Sequence, residues 1–247
     1  MLISVTQLVH ETLRLYWTNL RYVLRYLLVI LLVWGVLAVN GILGISYAVE
    51  AFNGSTGSIL VALVQFAIIA LFFMVSIAFN RTLSALIRNQ VSPTMWAQLK
   101  AAKKVFLPSA LVTVMLGLIV FAGTLLFVIP GIVFTLWYYF SVYAAMIDGY
   151  KPMAALKASK TLVNGRFGQV LWRLAAPAAI YILIFSMGIW SIVTPGQYFL
   201  AATGNFPVYW LAIGLAIIFY FLLFPIITIT PLLLYEHLRT TPIKSEE

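Results

Sequence analysis

Long apolar runs constrain this chain more than any other feature. Six stretches are almost free of charged side chains, and most reach the roughly 20 residues that an α-helix needs to cross a bilayer. Helix is the expected conformation because a lipid-exposed segment must satisfy its own backbone N–H and C=O groups. The sequence therefore predicts an all-α integral membrane protein with six transmembrane helices. The runs are residues 22–49, 58–79, 105–127, 131–147, 168–191 and 208–235.

Composition supports this class and limits the number of domains. Apolar residues make up 64% of the chain and charged residues 9%, whereas soluble domains average roughly 45–50% and 25%. Six spans leave little of the 247 residues for a soluble domain, so we expect a single polytopic membrane domain over residues 1–247. The chain has no cysteine, which excludes disulfides, thiolate nucleophiles and cysteine-ligated metal sites.

The third and fourth runs are nearly continuous and must fold back. As one helix, residues 105–147 would form a rod of roughly 64 Å, about twice the thickness of the hydrocarbon core. Pro130 and Gly131 predict the turn, because proline lacks a backbone N–H and glycine tolerates tight backbone conformations. A re-entrant pair is the alternative, so whether this hairpin crosses the whole bilayer stays open.

Positive charge is confined to alternate connections between the runs. All 15 Lys and Arg residues lie outside the connections at residues 50–57, 130–131 and 193–207, where Glu50 is the single charge. The positive-inside rule then places both termini and the two long basic connections in the cytoplasm. The net charge of +9 is therefore a signal of topology, and we expect no nucleic-acid partner.

A short amphipathic segment precedes each odd-numbered run. Residues 12–17, 98–103 and 155–160 each place a leucine directly before a basic residue, with apolar side chains at helical spacing on the opposite face. We predict three repeats, each an amphipathic interfacial helix followed by a two-span hairpin, in units 1–90, 91–149 and 150–247. Helix starts are expected at Ser4 or Thr6, which can cap, and at Pro93 and Pro152, since proline suits a first helical turn.

Two segments resemble a known family. The sequence LFVIPGI at residues 126–132, an aromatic-rich run, and AALKASKTLVNGR at residues 154–166 are similar to the central signature of the YciC-like bacterial inner-membrane proteins. A related pattern occurs in the membrane domain beside some glycerophosphodiester phosphodiesterases. The resemblance implies a six-span protein of the bacterial cytoplasmic membrane in a family with no agreed activity. Because no phosphodiesterase domain accompanies these segments, it does not imply that activity.

Groups suited to catalysis are few and scattered. No pair of acids and no cluster of histidines and carboxylates emerges from their positions, so we expect no catalytic, cofactor-binding or metal-binding residues and no enzyme. Asp148 and Gly149 are expected to end the fourth span. Glu236 is expected at a solvated helix end, paired with Arg239. The candidate acids and bases are Glu11, Glu50, Asp148, Glu236, Glu246, Glu247, His10 and His237.

The basic amphipathic segments carry the leading functional hypothesis. Apolar side chains that enter the acyl boundary, next to bases that attract anionic headgroups, are typical of lipid-binding surfaces. We therefore expect a non-enzymatic protein that binds or organises membrane lipids, with a protein partner or homo-oligomer left open. The alternative is that these bases only set topology. The candidate headgroup ligands are Lys100, Lys103, Lys104, Lys157, Lys160 and Arg166.

Polar groups inside the spans bear on two other classes of function. A transporter or channel for a small solute is favoured if Gln65, Thr113 and Thr135 line one continuous cavity. The ordinary interpretation of these three side chains is hydrogen bonding between packed helices. An enzyme acting on lipids would need convergent acids, bases or a metal site, and the sequence does not assemble one.

Overall fold

The structure is a computed structural model that describes residues 2–51, 57–88 and 94–241; side chains are described outside 37–51 and 57–61. The described residues form helices and no strand, so the all-α class is confirmed. In chain order the helices are α1 (Val5–Thr18), α2 (Leu20–Ala51), α3 (Gly57–Ile87), α4 (Met95–Leu126), α5 (Val128–Tyr138), α6 (Ser141–Asp148), α7 (Pro152–Val163), α8 (Phe167–Thr203) and α9 (Phe206–Thr240).

The helices have the length and surface of a multi-pass membrane protein. Large apolar side chains point outward along them, with Phe66 72%, Leu118 63% and Phe127 76% exposed. Such a surface needs lipid to cover it. Within the described residues, five segments are long and apolar enough to cross a membrane, or six if α1 and the start of α2 form one span bent by 81°. The five are Ala62–Ile87, Met95–Leu126, Val128–Asp148, Phe167–Thr203 and Phe206–Thr240.

Helix α1 begins at a capping box. Ser4 Oγ accepts the Gln7 N–H at 3.2 Å, and Gln7 Oε1 accepts the Ser4 N–H at 3.2 Å, so two donors at the helix start are satisfied reciprocally. The cap expected at Ser4 is confirmed. The helix ends at Asn19, whose amide donates to Leu15 O.

One face of α1 packs on α8 and α9. The Tyr16 hydroxyl donates to Leu222 O at 2.8 Å, and Thr12 Oγ1 lies 3.2 Å from Thr230 Oγ1. Trp17, on another side of the helix, is 67% exposed. The predicted amphipathic helix is thus present, but protein covers part of its apolar face.

The second amphipathic segment is not a separate helix. Residues 98–103 form the first turns of α4, which continues without interruption into the third apolar run. The in-plane helix predicted here is wrong, and the repeat is not confirmed in its second unit. No glycine separates Lys103 from Pro108, and an internal proline removes one backbone hydrogen bond without ending the helix. Thr94 caps the start; Pro93 lies outside the described residues.

The fold-back between the third and fourth runs occurs at Phe127. This residue is extended (φ −166°, ψ 157°), and α5 begins directly after it. The hairpin is confirmed, but its turn precedes the predicted Pro130-Gly131 pair. Pro130 lies in the first turn of α5, where the missing N–H has no helical partner to lose. Gly131 allows close packing instead, since a Cβ there would lie 2.6 Å from Thr124 Oγ1.

The helix of the fourth run is interrupted between α5 and α6, and a side chain of α7 binds the peptide groups at the interruption. Ser159 Oγ accepts the Phe140 N–H at 3.1 Å and donates to Trp137 O at 2.7 Å. Phe140 and Ser159 are both fully buried. One hydroxyl therefore replaces backbone partners that a continuous helix would have supplied, and it joins α7 to the broken span.

The ends of α6 and α7 follow the predicted signals. Gly149 follows α6 with a φ of 72°, in the left-handed region that glycine adopts without strain. The expected end of the fourth span at Asp148-Gly149 is confirmed. Helix α7 has Pro152 in its first turn, as expected, and Gly165 follows it with a φ of 78°.

Helix α8 is longer than the fifth apolar run. It extends to Thr203 with Pro195 inside it, so most of the predicted connection at residues 193–207 is helical. The loop expectation was wrong because Pro195 removes one hydrogen bond without ending the helix. Helices α8 and α9 then pack closely: a Cβ at Gly196 would lie 2.8 Å from Ala212 Cβ.

Candidate functional site at the basic end of the bundle

Several helix ends meet at one end of the bundle. We call this the basic end; it consists of α1, α7, the last turns of α3, α6 and α9, and the first turns of α4 and α8. Arg81 of α3 donates to Met146 O at 2.7 Å, at the end of α6. Arg173 of α8 donates to Ile3 O, just before α1. Arginine side chains therefore bind the peptide groups of neighbouring helices here.

Glu236 is buried at this end and binds α3. Only 7% of the residue is exposed. Its carboxylate accepts hydrogen bonds from Ser84 Oγ at 2.7 Å and Arg88 Nε at 3.0 Å. Burial lowers the pKa of Arg88, but the hydrogen bond and charge of Glu236 and the charge of Asp148 outweigh that effect, so the pKa is raised. The predicted solvated Glu236–Arg239 pair is wrong because Glu236 faces α3 within the bundle.

Asp148 extends this arrangement to α6. Its carboxylate lies 2.8 Å from the Arg239 guanidinium and 3.5 Å from that of Arg88, and it accepts a hydrogen bond from the Tyr235 hydroxyl. The side chain is 8% exposed. Removing one member of such a buried arrangement leaves the partner charges uncompensated. The ionic cluster that joins α3, α6 and α9 consists of Ser84, Arg88, Asp148, Tyr235, Glu236 and Arg239.

All five predicted headgroup lysines are exposed, and four of them lie on two neighbouring helices without a partner among the described residues. Three project from the first turns of α4 and one from α7, and these two helices are in contact. In the part of the chain that the structure describes, none of the four forms a hydrogen bond or an ion pair. Their charges are therefore available to an external anion. They are Lys100, Lys103, Lys104 and Lys157.

Lys103 lines an apolar groove between α3 and α4. The groove has a volume of about 340 Å³ and is lined by Ala70, Leu71, Met74 and Phe106 as well. This volume falls within the range of small-molecule sites. An ammonium group beside an apolar groove on a lipid-facing surface fits an amphiphile with an anionic head.

The other two predicted headgroup ligands have partners within the protein. Lys160 Nζ lies 4.6 Å from the centre of the Trp137 ring, a cation–π geometry. Arg166 is 9% exposed and donates to Leu238 O at 3.1 Å and Thr241 O at 3.0 Å; burial lowers its pKa. The Arg166 guanidinium binds the carbonyl groups at the end of α9, and its role as a headgroup ligand stays a prediction.

The intramembrane polar residues do not form one path. Thr113 donates to Ser109 O at 2.9 Å and Thr135 to Gly131 O at 2.7 Å. Both hydrogen bonds lie within one helix, so the prediction of interhelical bonds for these two threonines is wrong. Gln65 Oε1 is buried without a partner among the described residues. Thr135 lines an apolar cavity of about 350 Å³ between α5, α8 and α9, and neither Gln65 nor Thr113 lines it.

Metal ligands and known relatives are two further guides to function. Among the described residues, His, Asp and Glu side chains form no group of three or more suited to a metal ion. The chain matches no protein-family model, no curated protein and no solved structure. The similarity to YciC-like proteins therefore stays a prediction, and the functional argument depends on the site itself.

Sequence reasoning missed the buried polar contacts of the basic end. Ser84 and Tyr235 gave no signal, because a serine or tyrosine at the end of an apolar run is common. Glu236 did give one: an ionisable residue at the edge of an apolar run is expected to find a partner inside the bundle. Ser159 also lay within the family-like segment at residues 154–166, and its contact with the broken span gives that serine a physical role.

Proposed function

We propose that this chain is a non-enzymatic multi-pass membrane protein that binds anionic phospholipids at its basic end. The observation that carries the proposal is the apolar groove between α3 and α4 with Lys103 in its lining. An acyl chain occupies the groove, and the phosphate interacts with Lys103 and the neighbouring Lys100 and Lys104. Each base near a membrane surface contributes about 1 kcal/mol of attraction to anionic lipid.

Helix α7 supplies the second side of the proposed headgroup site. Lys157 is exposed on this helix, which contacts α4. The buried Ser159 contacts with Phe140 and Trp137 hold α7 in place. A fixed helix keeps its lysine near the headgroup without the entropy loss of ordering a loop.

The proposal includes an orientation. We place the basic end at the cytoplasmic face of a bacterial inner membrane, following the positive-inside rule and the resemblance to YciC-like proteins. The cytoplasmic leaflet carries anionic lipid, which is the ligand class that the exposed lysines select. The groove and the lysines then face the leaflet where their ligand is found.

Native mass spectrometry of the protein released from nanodiscs tests whether the lysines beside the groove bind an anionic headgroup. The variant Lys103→Gln/Lys104→Gln removes two charges beside the groove, and Arg21→Gln/Arg25→Gln removes two exposed charges on α2. We expect retention of phosphatidylglycerol to fall about 30-fold in the lysine variant, because two bases at about 1 kcal/mol each are removed. It should change little in the arginine control. Equal losses in both variants would show unspecific attraction and contradict the site.

A second variant tests the groove without changing charge. Ala70→Trp fills the space between α3 and α4, whereas Ala62→Trp places the same ring on an exposed part of α3. We expect lipid retention to fall in Ala70→Trp and to persist in Ala62→Trp. Full retention in Ala70→Trp would show that no acyl chain occupies this groove.

A further inference from the structure

A second cavity at the basic end has a different chemical character. It lies between α1, α3 and α9 and has a volume of about 540 Å³. Apolar side chains, among them Leu86 of α3, form part of its wall. It lies apart from the groove at Lys103 and shares no residue with the ionic cluster. Its polar lining residues are Glu11, Arg14, Thr18, Asn19 and His237.

Two opposite charges line this cavity without pairing. Glu11 and Arg14 are one helical turn apart on α1, which places their Cβ atoms about 5–6 Å from each other. Glutamate and arginine at this spacing commonly form an ion pair. Here neither side chain forms an ion pair or hydrogen bond with any residue that the structure describes. The cavity therefore offers one free carboxylate and one free guanidinium to the same ligand.

Two further residues that line the same cavity add acceptors to the Glu11 carboxylate. His237 Nδ1 lies 3.1 Å from Leu233 O, and because a carbonyl only accepts, Nδ1 carries the hydrogen. In the neutral ring Nε2 is then left as an acceptor. Asn19 donates its amide to Leu15 O at 3.1 Å, which leaves its side-chain oxygen as an acceptor. Together with Glu11 these groups match the three N–H donors of a primary ammonium.

We propose that this cavity binds a phosphate ester that carries a primary ammonium, the chemistry of phosphoethanolamine. Arg14 binds the phosphate, since a guanidinium pairs with phosphate oxygens through two parallel hydrogen bonds. Glu11, His237 and Asn19 receive the ammonium. A choline headgroup has no N–H donor, and the described residues of the lining include no Phe, Tyr or Trp to hold a quaternary ammonium. A phosphoglycerol headgroup leaves the Glu11 charge without a partner.

The same chemistry has two sources, a phospholipid headgroup and a dissolved phosphate ester. One arm of the test measures retention of phosphatidylethanolamine against phosphatidylcholine by native mass spectrometry after release from nanodiscs of both lipids. The other arm titrates detergent-purified protein with phosphoethanolamine and phosphocholine by calorimetry. Retention without a response to the dissolved esters assigns the ligand to lipid; the reverse result assigns it to a soluble compound.

One variant tests recognition of the ammonium and another tests recognition of the phosphate. Because a hydrogen bond to a charged group is stronger than one between neutral groups, we expect a preference of about tenfold or more for ethanolamine over choline. Glu11→Gln should reduce that preference because the carboxylate charge is lost, and Arg14→Gln should weaken binding of both esters. Arg21→Gln, on an exposed position of α2, is the matched control and should bind as the wild type does.

Two results would overturn the proposal. One is the absence of an ethanolamine preference in both arms; the other is a preference that is unchanged in Glu11→Gln. Ile87→Trp fills the cavity without a change of charge, so it should lose binding even if a charge variant folds poorly. Lys103→Gln/Lys104→Gln should leave the ethanolamine preference intact, which separates failure of this site from failure of the groove proposed above.

Discussion

Replacing Ser159 with alanine tests how α7 is held against the broken fourth span. The hydroxyl is the partner of both the Phe140 N–H and the Trp137 carbonyl, at 3.1 Å and 2.7 Å, in a fully buried position. Ser159→Ala removes both bonds and adds no atom that could replace them. The substitution therefore tests the two hydrogen bonds to the backbone without a change in charge and with almost no change in side-chain volume.

The size of the effect follows from the two unpaired peptide groups. Leaving a buried donor or acceptor unsatisfied costs about 1–3 kcal/mol in soluble proteins, while side-chain hydrogen bonds within membranes average about 0.6 kcal/mol. Two bonds at an interhelical contact then give an expected loss of about 2 kcal/mol in the free energy of unfolding. Ser186→Ala is the matched control, because its exposed hydroxyl donates to Leu183 O within its own helix.

The assay is unfolding by titration with sodium dodecyl sulfate in mixed micelles, followed by tryptophan fluorescence. We expect the midpoint for Ser159→Ala to move to a clearly lower fraction of dodecyl sulfate, and Ser186→Ala to stay within about 0.5 kcal/mol of the wild type. If both variants unfold at the wild-type midpoint, Ser159 does not stabilise the break. The account of how α7 is fixed would then be refuted.

Three other outcomes follow from the structure. Gly131→Ala should destabilise the α4–α5 hairpin by about 1–3 kcal/mol in the same assay, because the new Cβ would lie 2.6 Å from a threonine oxygen, whereas Gly117→Ala, with nothing within 4 Å, should not. Glu236→Gln should cost about 2 kcal/mol, since the partly exposed Arg88 guanidinium loses its carboxylate partner; an unchanged midpoint would contradict a stabilising role of the ionic cluster. Because the chain has no cysteine, single cysteines report orientation: an impermeant maleimide should label Thr203→Cys in intact cells and Lys157→Cys only after permeabilisation, and the reverse pattern would invert the topology.

The positions of the long helices could be predicted because hydrophobicity alone decides which segments enter a membrane. Helix ends were harder. The turn at Phe127 was placed too late, since Pro130 fits the first turn of a helix as well as it fits a loop. The continuous start of α4 was missed for a related reason: its amphipathic pattern resembles that of α1 and α7, but no residue between Lys103 and Pro108 ends the helix.

The polar contacts were beyond a single sequence because they join residues distant along the chain. The Ser84–Glu236 bond spans 152 positions, and periodicity within one helix carries no information about such a pair. Local reasoning instead paired Glu236 with Arg239, its neighbour along the helix. The headgroup lysines show the same limit. Helical spacing predicts that Lys103 and Lys160 both lie near the surface, but only the fold shows that Lys160 contacts the Trp137 ring.

The groove at Lys103 and the cavity at Glu11 share α3, which the ionic cluster joins to α6 and α9. Helix α3 contributes Met74 to the groove and Leu86 to the cavity at Glu11. Arg88, directly after α3, belongs to the ionic cluster and lies 3.5 Å from Asp148 of α6. Helix α9 presents Glu236 to the cluster and the next residue, His237, to the cavity. Because adjacent residues on a helix face different directions, one turn of α9 contributes both to the ionic cluster and to the wall of the cavity. The buried charges thus fix the separation between α3 and α9 on which the cavity depends. A ligand bound there would therefore enter a cavity that is already formed.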